Sequence, residues 1–392
     1  MSVFVHAHPF PVLRLTGSIA LAAALGACGG GGTVGSGGGG SGAGQCGGYL
    51  QPPCSGGGGG FGGGGGGQYV ANALVSDSGA GALHADADLV NAWGLAFNPG
   101  GYGWVSDEAT GVSTLYDGNG VAQSPTVTLP TGAAPTGIVY NGTAGFSFTF
   151  DGQSGPPLFL WDTIDGTIAA WAPDIAATQA VTVVDNSGTG AVYTGLAIGV
   201  DANQAPLLFA ANFGAGRVDV FDAGFQDVSP VGGFVDPAVP AGYAPFGIQQ
   251  IGGNIYVAWA QVDPASGREV HAAGAGVLDA FDPAGHLLAT LVAAGGALDA
   301  PWGIALAPSN FGPQSNQLVV GNFGDGTLHA YSPTTGALAG QIMNDDQSPI
   351  VIDGLWGIAF GNGLATQPTN TLFYAAGPGG GAHGTYGRID LD

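Results

Sequence analysis

A six-residue phrase is repeated six times along this chain, and glycine is the only residue that all six copies share. Each copy has an aromatic or small residue, the shared glycine, and then an apolar run typical of a strand. The copies are residues 92–97, 135–140, 193–198, 245–250, 301–306 and 355–360. Successive shared glycines lie 43, 58, 52, 56 and 54 residues apart. A period of this length indicates an array of similar units that pack on one another.

Each repeat also has the pattern of a four-stranded meander. A second apolar run follows the phrase, as at residues 158–162, and a glycine turn leads to an alternating third run, as at 216–222. Fourth runs occur at residues 126–129, 181–184, 287–292 and 338–342. Four strands per repeat of this period are typical of a propeller blade. We expect an all-β, six-bladed β-propeller over residues 69–392; a β-solenoid, with its much shorter repeats, is the less favoured alternative.

The sixth repeat has room for three strands only, because 35 residues follow Gly357. Residues 69–75 form an apolar, strand-like run before the first repeat and have no other partner. We predict that this N-terminal strand completes the sixth blade. The ring would then be closed without a free sheet edge.

Residues 1–28 have the features of a lipoprotein-type signal peptide. Arg14 precedes an apolar run at residues 15–25 that is too short to cross a bilayer. The sequence Leu-Gly-Ala-Cys at 25–28 resembles a bacterial lipobox, which makes Cys28 the predicted lipidation site. An ordinary secretory cleavage site is the alternative. We expect export to the cell envelope, lipid-anchored at the outer membrane or in the periplasm, or otherwise secretion.

Residues 29–68 are mostly glycine, and such a segment buries too little apolar surface to order itself. We expect a disordered tether between the lipid anchor and the propeller. Cys46 and Cys54 lie within it, and in an exported chain a disulfide between them is the favoured interpretation. A metal site is the weaker alternative, because two thiols without a nearby His or acid make a poor ligand set.

The chain is strongly acidic, with a formal net charge of −23 and no lysine. Nucleic acids and anionic lipid surfaces require basic patches, so neither is an expected partner. Membrane contact is expected only through the N-terminal lipid, and the domain is expected to be a monomer. Neutral or cationic ligands suit such a field, although surface acids also serve simply to keep a protein soluble.

Polar residues from several repeats are predicted to share one face of the propeller, where the second-to-third-strand turns and the loops between blades meet. An unknown small molecule, glycan or protein is expected to bind there. The predicted ligand-binding residues are Asp107, Glu108, Asp162, Asn212, Tyr243, His271, Asn322, Asp353 and His383. Oxygen donors from different blades suit Ca²⁺, and the predicted metal set is Asp107, Asn212, Asn322 and Asp353. The alternative for each residue is a turn cap for the backbone.

His271 lies in a long loop of mixed charge at residues 261–274, and long loops on a rigid scaffold often carry function. A solvated loop is the alternative. Trp93, Trp302 and Trp356 each precede a shared glycine. We expect them to pack between blades, with a ligand-stacking platform as the alternative.

Residues 241–246, 321–326 and 352–357 resemble an uncharacterised family of exported bacterial β-propeller proteins, some of which carry a C-terminal Pro-Glu-Pro sorting signal. The resemblance covers about residues 69–392 and implies fold and export, but no activity. More distantly, the blades are similar to NHL-repeat and SMP-30/gluconolactonase-type propellers.

The lactonase-type resemblance implies an alternative function, a Ca²⁺-dependent hydrolase or lyase. The predicted metal set would hold the ion, and Glu108 or His271 would act as base. The first repeat lacks the early glutamate of that family unless Asp88 replaces it. Because no compact catalytic motif such as G-x-S-x-G or H-E-x-x-H is present, a binding or scaffold module is the favoured prediction.

Overall fold

The repeated apolar runs become the strands of six antiparallel sheets in the computed structural model, which describes residues 68–392. The six sheets are the blades of a β-propeller, as the period predicted. The predicted signal peptide with Cys28, the glycine-rich tether up to residue 67 and the Cys46–Cys54 disulfide lie outside the described residues.

Strands are lettered A to D from the channel outward within each blade. Blade 1 contains Ala92–Phe97, Gly103–Asp107, Val112–Tyr116 and Val127–Thr128, and blade 2 contains Pro135–Tyr140, Phe159–Thr163, Thr167–Trp171 and Val181–Asp185. Blade 3 contains Tyr193–Val200, Pro206–Asn212 and Arg217–Asp222, and blade 4 contains Tyr243–Ile251, Asn254–Gln261, Gly276–Phe281 and Leu287–Val292. Blade 5 contains Pro301–Leu306, Leu318–Asn322, Leu328–Tyr331 and Leu338–Gln341, and blade 6 contains Leu355–Phe360, Leu372–Ala376, Thr385–Leu391 and Tyr69–Ser76.

Few elements lie outside these blades. A hairpin of Phe148–Phe150 and Gln153–Gly155 extends the connection between strands A and B of blade 2, and His84–Ala85 pairs in parallel with Tyr69–Ser76. Helical turns occur at Pro173–Ala176, Ser187–Thr189 and Gly312–Gln314. Within residues 68–392 no helix is long and apolar enough to cross a membrane.

The innermost strands surround a central channel. Each contacts the innermost strands of the two neighbouring blades, and the sixth contacts the first. Because the strands are antiparallel, the A-to-B and C-to-D connections lie at one end of the channel, here called the A–B face. The B-to-C connections and the loops between blades lie at the other end, here called the B–C face.

The closing blade joins the two ends of the propeller, which confirms the prediction for residues 69–75. Tyr69–Ser76 pairs antiparallel with Thr385–Leu391, with Tyr69 opposite Leu391. The buried Tyr69 hydroxyl donates a hydrogen bond to the Phe311 carbonyl oxygen at 2.6 Å, which ties this strand to blade 5 as well. A buried, satisfied hydroxyl stabilises the fold, because removing its partner would leave a desolvated polar group.

Blade 3 differs from the expected four-stranded pattern, since it has three strands. The Val228 amide reaches the Val220 carbonyl at 2.8 Å, but the chain does not continue as a strand. Pro230 follows and has no amide hydrogen to donate, and Gly232 has a φ of +72° that no regular strand uses. A groove of about 880 Å³ remains between blades 3 and 4 at the A–B face.

The shared glycine of the repeat allows the innermost strands to approach one another closely. At Gly247, a Cβ atom would overlap the backbone carbonyl of Trp302 in the next blade. Glycine at this position is therefore a packing requirement of the channel wall.

Candidate functional site

Four of the predicted site residues lie at the end of strand B of their blades, or one residue before it, and are buried rather than exposed on the B–C face. They are Asp107, Asp162, Asn212 and Asn322, with exposures of 0, 0, 1 and 0 %. Asp107, Asn212 and Asn322 each pair with the first residue of their repeat phrase, whereas Asp162 lies one residue earlier in its strand. Buried polar groups of this kind are normally hydrogen-bonded within the protein.

Hydrogen bonds within the blades occupy one carboxylate oxygen of each buried acid. The Thr114 amide donates to Asp107 at 2.9 Å, and burial raises the pKa of Asp107 well above its ordinary value. Asp162 accepts from the Thr136 hydroxyl at 2.8 Å and from the Gly137 amide at 2.6 Å. Burial raises the pKa of Asp162 to about 7, although these bonds oppose the increase. Both acids join strand B to its neighbouring strands.

The two buried asparagines behave similarly. Asn212 donates to Asp219 at 2.7 Å, and Asn322 donates to the Ala297 carbonyl at 3.0 Å. Within residues 68–392, no three His, Cys, Asp or Glu side chains are grouped so that they could hold a metal ion. The members of the predicted calcium set each bind partners in or beside their own blade, and the structure does not bring them together.

Three further predicted residues lie on the B–C face, and two of them have local partners. Asp353 accepts from the Gly379 amide at 2.9 Å, and His383 Nδ1 lies 2.8 Å from Asp77 Oδ2. These contacts hold the B–C connection of blade 6 in place. Tyr243 is half-buried, and burial raises the pKa of its hydroxyl.

Large aromatic side chains fill the channel at its B–C end. We call this group the aromatic plug; its members are Trp93, Phe213, Phe246, Trp302, Phe323 and Trp356. Four of them precede a shared glycine, so the repeat itself places them toward the axis. Phe213 and Phe323 come from the B-to-C turns of blades 3 and 5.

Ring contacts in the plug join neighbouring blades and also run across the axis. Trp356 stacks on Trp93 and on Phe323, with ring centroids 3.7 Å apart in both pairs. Its ring also lies 5.6 Å from that of Phe246, which belongs to the non-adjacent blade 4. The tryptophans pack between neighbouring blades as predicted, because Trp93 and Trp302 both contact Trp356 of the adjacent blade, and they also meet rings across the axis. A ligand-stacking role stays a prediction. Trp302 is the tryptophan to test for it, because its side chain is only half-buried.

The long B-to-C connection of blade 4 places charged side chains over the plug. The His271 ring meets the Phe323 ring edge-on, with centroids 5.0 Å apart. Glu269 Oε1 lies 3.2 Å from an Arg268 guanidinium nitrogen and 3.4 Å from His271 Nε2. The Glu269 side chain is 8 % exposed, whereas those of Arg268 and His271 are 52 % and 48 % exposed. A desolvated carboxylate thus contacts a guanidinium group and an imidazole ring that are both accessible to solvent.

Glu108 lies on the same face in the B-to-C turn of blade 1. The Asn91 side-chain amide donates to its carboxylate at 2.8 Å. A cavity of about 510 Å³ opens beside Glu108, between this turn and the loop that leads to blade 2. Asp165 of blade 2 stands behind that loop and accepts from the Ala134 amide at 3.0 Å.

The charges of this face act on one another across blades. Burial raises the pKa of Glu108, and the negative charge of Asp165 adds to the increase, while the Asn91 bond and the positive charge of Arg268 oppose it. Burial alone would raise the pKa of Glu269, but the His271 bond and the Arg268 charge outweigh it and lower that pKa. Residues of blades 1, 2 and 4 therefore form one electrostatic unit.

Two of the predicted residues, Glu108 and His271, belong to this unit. Sequence reasoning missed Phe213, Phe246 and Phe323 in the plug. For Phe246 a signal was available, because it occupies the aromatic position of its repeat copy. Phe213 and Phe323 share a weaker signal, the Asn-Phe-Gly sequence at residues 212–214 and 322–324, which occurs in only two blades.

Comparison with curated proteins identifies relatives in a giant virus. Uncharacterized protein R648 of Acanthamoeba polyphaga mimivirus is 31 % identical over 333 residues, which cover 82 % of this chain and 80 % of that protein. Uncharacterized protein L690 of the same virus is 32 % identical over 299 residues, covering 74 % and 78 %. No protein-family model matches the chain. Because these relatives are viral, the resemblance to exported bacterial proteins stays a prediction.

Similar solved structures are β-propellers. The virginiamycin B lyase of Staphylococcus aureus is 15 % identical with a TM-score of 0.41, and the comparison covers 76 % of this chain and 80 % of that one. A glucose dehydrogenase is 12 % identical with a TM-score of 0.49, covering 81 % and 98 %.

Proposed function

We propose that this chain is a binding module that takes a small cationic ligand on its B–C face. The chain belongs to the same family as uncharacterized proteins R648 and L690 of Acanthamoeba polyphaga mimivirus. One observation carries the proposal. The nearly buried Glu269 of blade 4 holds Arg268 at 3.2 Å above the aromatic plug, on the same face where Glu108 of blade 1 borders a cavity of about 510 Å³.

The charge of this face favours a cation. Arg268 and His271 are outnumbered by acids, which are Glu108, Asp165, Glu269 and Asp299. The chain as a whole carries a net charge of −23, so its field raises the local concentration of cations. A ligand with two amino groups can bind the carboxylates of blades 1 and 4 while it displaces Arg268. The half-buried Trp302 adds an aromatic surface for its aliphatic part.

The binding test uses the full chain and the diamine putrescine in isothermal titration calorimetry. We expect saturable binding that Glu108→Gln and Glu269→Gln each weaken about tenfold, because each loses one charge-assisted hydrogen bond. Asp151→Asn is the matched control, since it removes an exposed acid from the hairpin on the A–B face. No saturable binding, or equal binding in all four proteins, would overturn the proposal.

Export and lipid anchoring form the second part of the proposal. The support is sequence alone, namely the apolar run at residues 15–25 and the lipobox-like segment that ends at Cys28. An acidic binding module without basic patches needs such an anchor to stay at a membrane surface. Cys28→Ser should abolish palmitate labelling in a bacterial host and leave an uncleaved or soluble protein. Equal partition of both forms into membranes, with neither labelled, would reject the anchor.

A further inference from the structure

The opposite end of the channel is open. A cavity of about 320 Å³ lies at the A–B face, lined by the last residues of the innermost strands of five blades. Phe97, Tyr140 and Phe360 contribute aromatic rings to its wall, and Ile198 contributes an aliphatic side chain. The aromatic plug closes the other end, so a ligand can enter this cavity only from the A–B face.

Blade 4 departs from the repeat at this cavity. At the fifth position of the phrase, the other five copies have Ala96, Val139, Ala197, Ala305 and Ala359, whereas blade 4 has Gln249. At the sixth position they have Phe97, Tyr140, Ile198, Leu306 and Phe360, whereas blade 4 has Gln250. Two successive apolar positions are therefore replaced by amides, and both amides line the cavity.

These two amides have their hydrogen-bonding capacity available. Within residues 68–392 neither the Gln249 nor the Gln250 side chain makes a hydrogen bond to another residue; Gln249 is exposed and Gln250 is half-buried. Gln249 also lines a small cavity of about 30 Å³ further along the channel, next to Trp302. Each amide offers two donor hydrogens and an acceptor oxygen.

We propose that this mouth of the channel binds a neutral, hydroxylated ring compound of the monosaccharide class, held by Gln249 and Gln250. A sugar ring has hydroxyl groups that both donate and accept, which matches two amides. It also has apolar C–H faces, which match the rings of Phe97, Tyr140 and Phe360. The lining contains no Asp, Glu, Lys, Arg or His, so an ionic ligand would find no counter-charge.

The site is distinct from the cation site of the B–C face, because its lining shares no residue with that face. The cavity volume lies at the lower end of the range for small-molecule sites, roughly 300–1,000 Å³. The concave, partly apolar shape of the mouth and its few polar groups fit that class of site.

The repeat supplies variants that keep the fold. Gln249→Ala and Gln250→Leu introduce residues that other blades already carry at these positions, so the double variant is expected to fold. Gln179→Ala is the matched control, because Gln179 is an exposed glutamine on the outer part of blade 2. The side-chain amide signals of glutamines in ¹H–¹⁵N spectra of the full chain provide a readout at the site itself.

The probes are glucose, galactose, mannose and N-acetylglucosamine, each titrated to high millimolar concentration. We expect at least one to shift the Gln249 and Gln250 amide signals saturably. The double variant lacks these signals, so its affinity is read from the backbone amide signals of the lining residues, and we expect it to bind at least about tenfold more weakly. Gln179→Ala should bind it as the wild type does. If no sugar shifts either signal, or if the double variant binds equally well, the proposal is wrong. Shifts confined to the B–C face would also overturn it.

Discussion

The two ends of the central channel are built from the same six strands, yet they differ in every physical respect. The B–C end is closed by stacked aromatic rings and covered by charged side chains such as Arg268 and Glu269. The A–B end is open, lacks charged lining residues and has two free amides. The difference between the two ends therefore depends on which side chains the repeat places at each end of the innermost strands.

Side-chain volume explains which end is closed. The second position of the repeat has Trp93, Phe246, Trp302 and Trp356, whose rings are long enough to meet across the axis. At the fifth position, four of the six copies have alanine, which leaves the space empty. A large residue at one position and a small one three residues later make one end of the channel solid and the other hollow.

Removal of the central ring of the plug should have the largest effect. Trp356→Ala should lower the free energy of unfolding by about 3–5 kcal/mol, because it leaves a cavity among stacked rings. Phe360→Ala, in the same strand at the open end, should cost less, about 1–2 kcal/mol, since Phe360 is half-buried. Urea unfolding followed by tryptophan fluorescence measures both. Equal losses would show that the two ends are packed alike.

The channel wall between the two ends provides a second test. Gly247→Ala should destabilise the protein by about 1–3 kcal/mol, because the new Cβ would overlap the Trp302 carbonyl and the strands would have to separate. Gly195→Ala, at the same repeat position in blade 3, meets its nearest atom at 3.4 Å and should be neutral or slightly stabilising. Comparison of their thermal midpoints checks this. A Gly247→Ala protein as stable as the wild type would contradict the close approach.

The smallest effect concerns the charge of the closed end. The hydrogen bond that His271 donates to Glu269, together with the charges of Glu269 and Asp299, raises the pKa of His271 above its ordinary value. Glu269→Gln should lower the pKa of His271. Asp325→Asn is the comparison variant, because it removes a nearby acid but leaves Glu269 in place. An NMR titration of the His271 ring signals measures the change. An unchanged His271 pKa in the Glu269→Gln protein would show that His271 and Glu269 do not interact.

The sign of the pH dependence follows from that shift. A histidine whose pKa is raised in the folded protein stabilises it at pH values below the unfolded pKa, and this contribution is lost as the pH rises through the folded pKa. Diamine binding should respond oppositely, because protonated His271 repels a cation. Affinity should therefore increase as the pH rises through the His271 pKa.

Much of the fold was predictable because the six copies of the repeat can be compared with one another within a single chain. The spacing of the shared glycines predicted six blades, and the short sixth repeat predicted the strand at Tyr69–Ser76. Local breaks were harder. Pro230 and Gly232 interrupt the segment where the fourth strand of blade 3 would lie. Only the strand pairing in the structure shows that strand C is the outer edge of this blade.

The site was predictable only in part, because sequence position does not state burial. Asp107 and Glu108 are neighbours in the chain, but the first is fully buried against Thr114 and the second faces the cavity of the B–C face. Asp107 is the last residue of its strand and Glu108 is the first residue of the turn, so their side chains point in different directions. Whether such an acid binds neighbouring strands or faces a ligand-accessible cavity depends on the residue at which its strand ends.

By itself the sequence determined the period, the number of blades and the strand that closes the ring, because these depend on spacing along one chain. Only the tertiary structure decided that the aromatic residues meet across the axis, that Arg268 of blade 4 acts on Glu108 of blade 1, and that the open mouth lies at Gln249 and Gln250. These features join residues far apart in sequence. Their distances follow from ring closure, which no local pattern encodes.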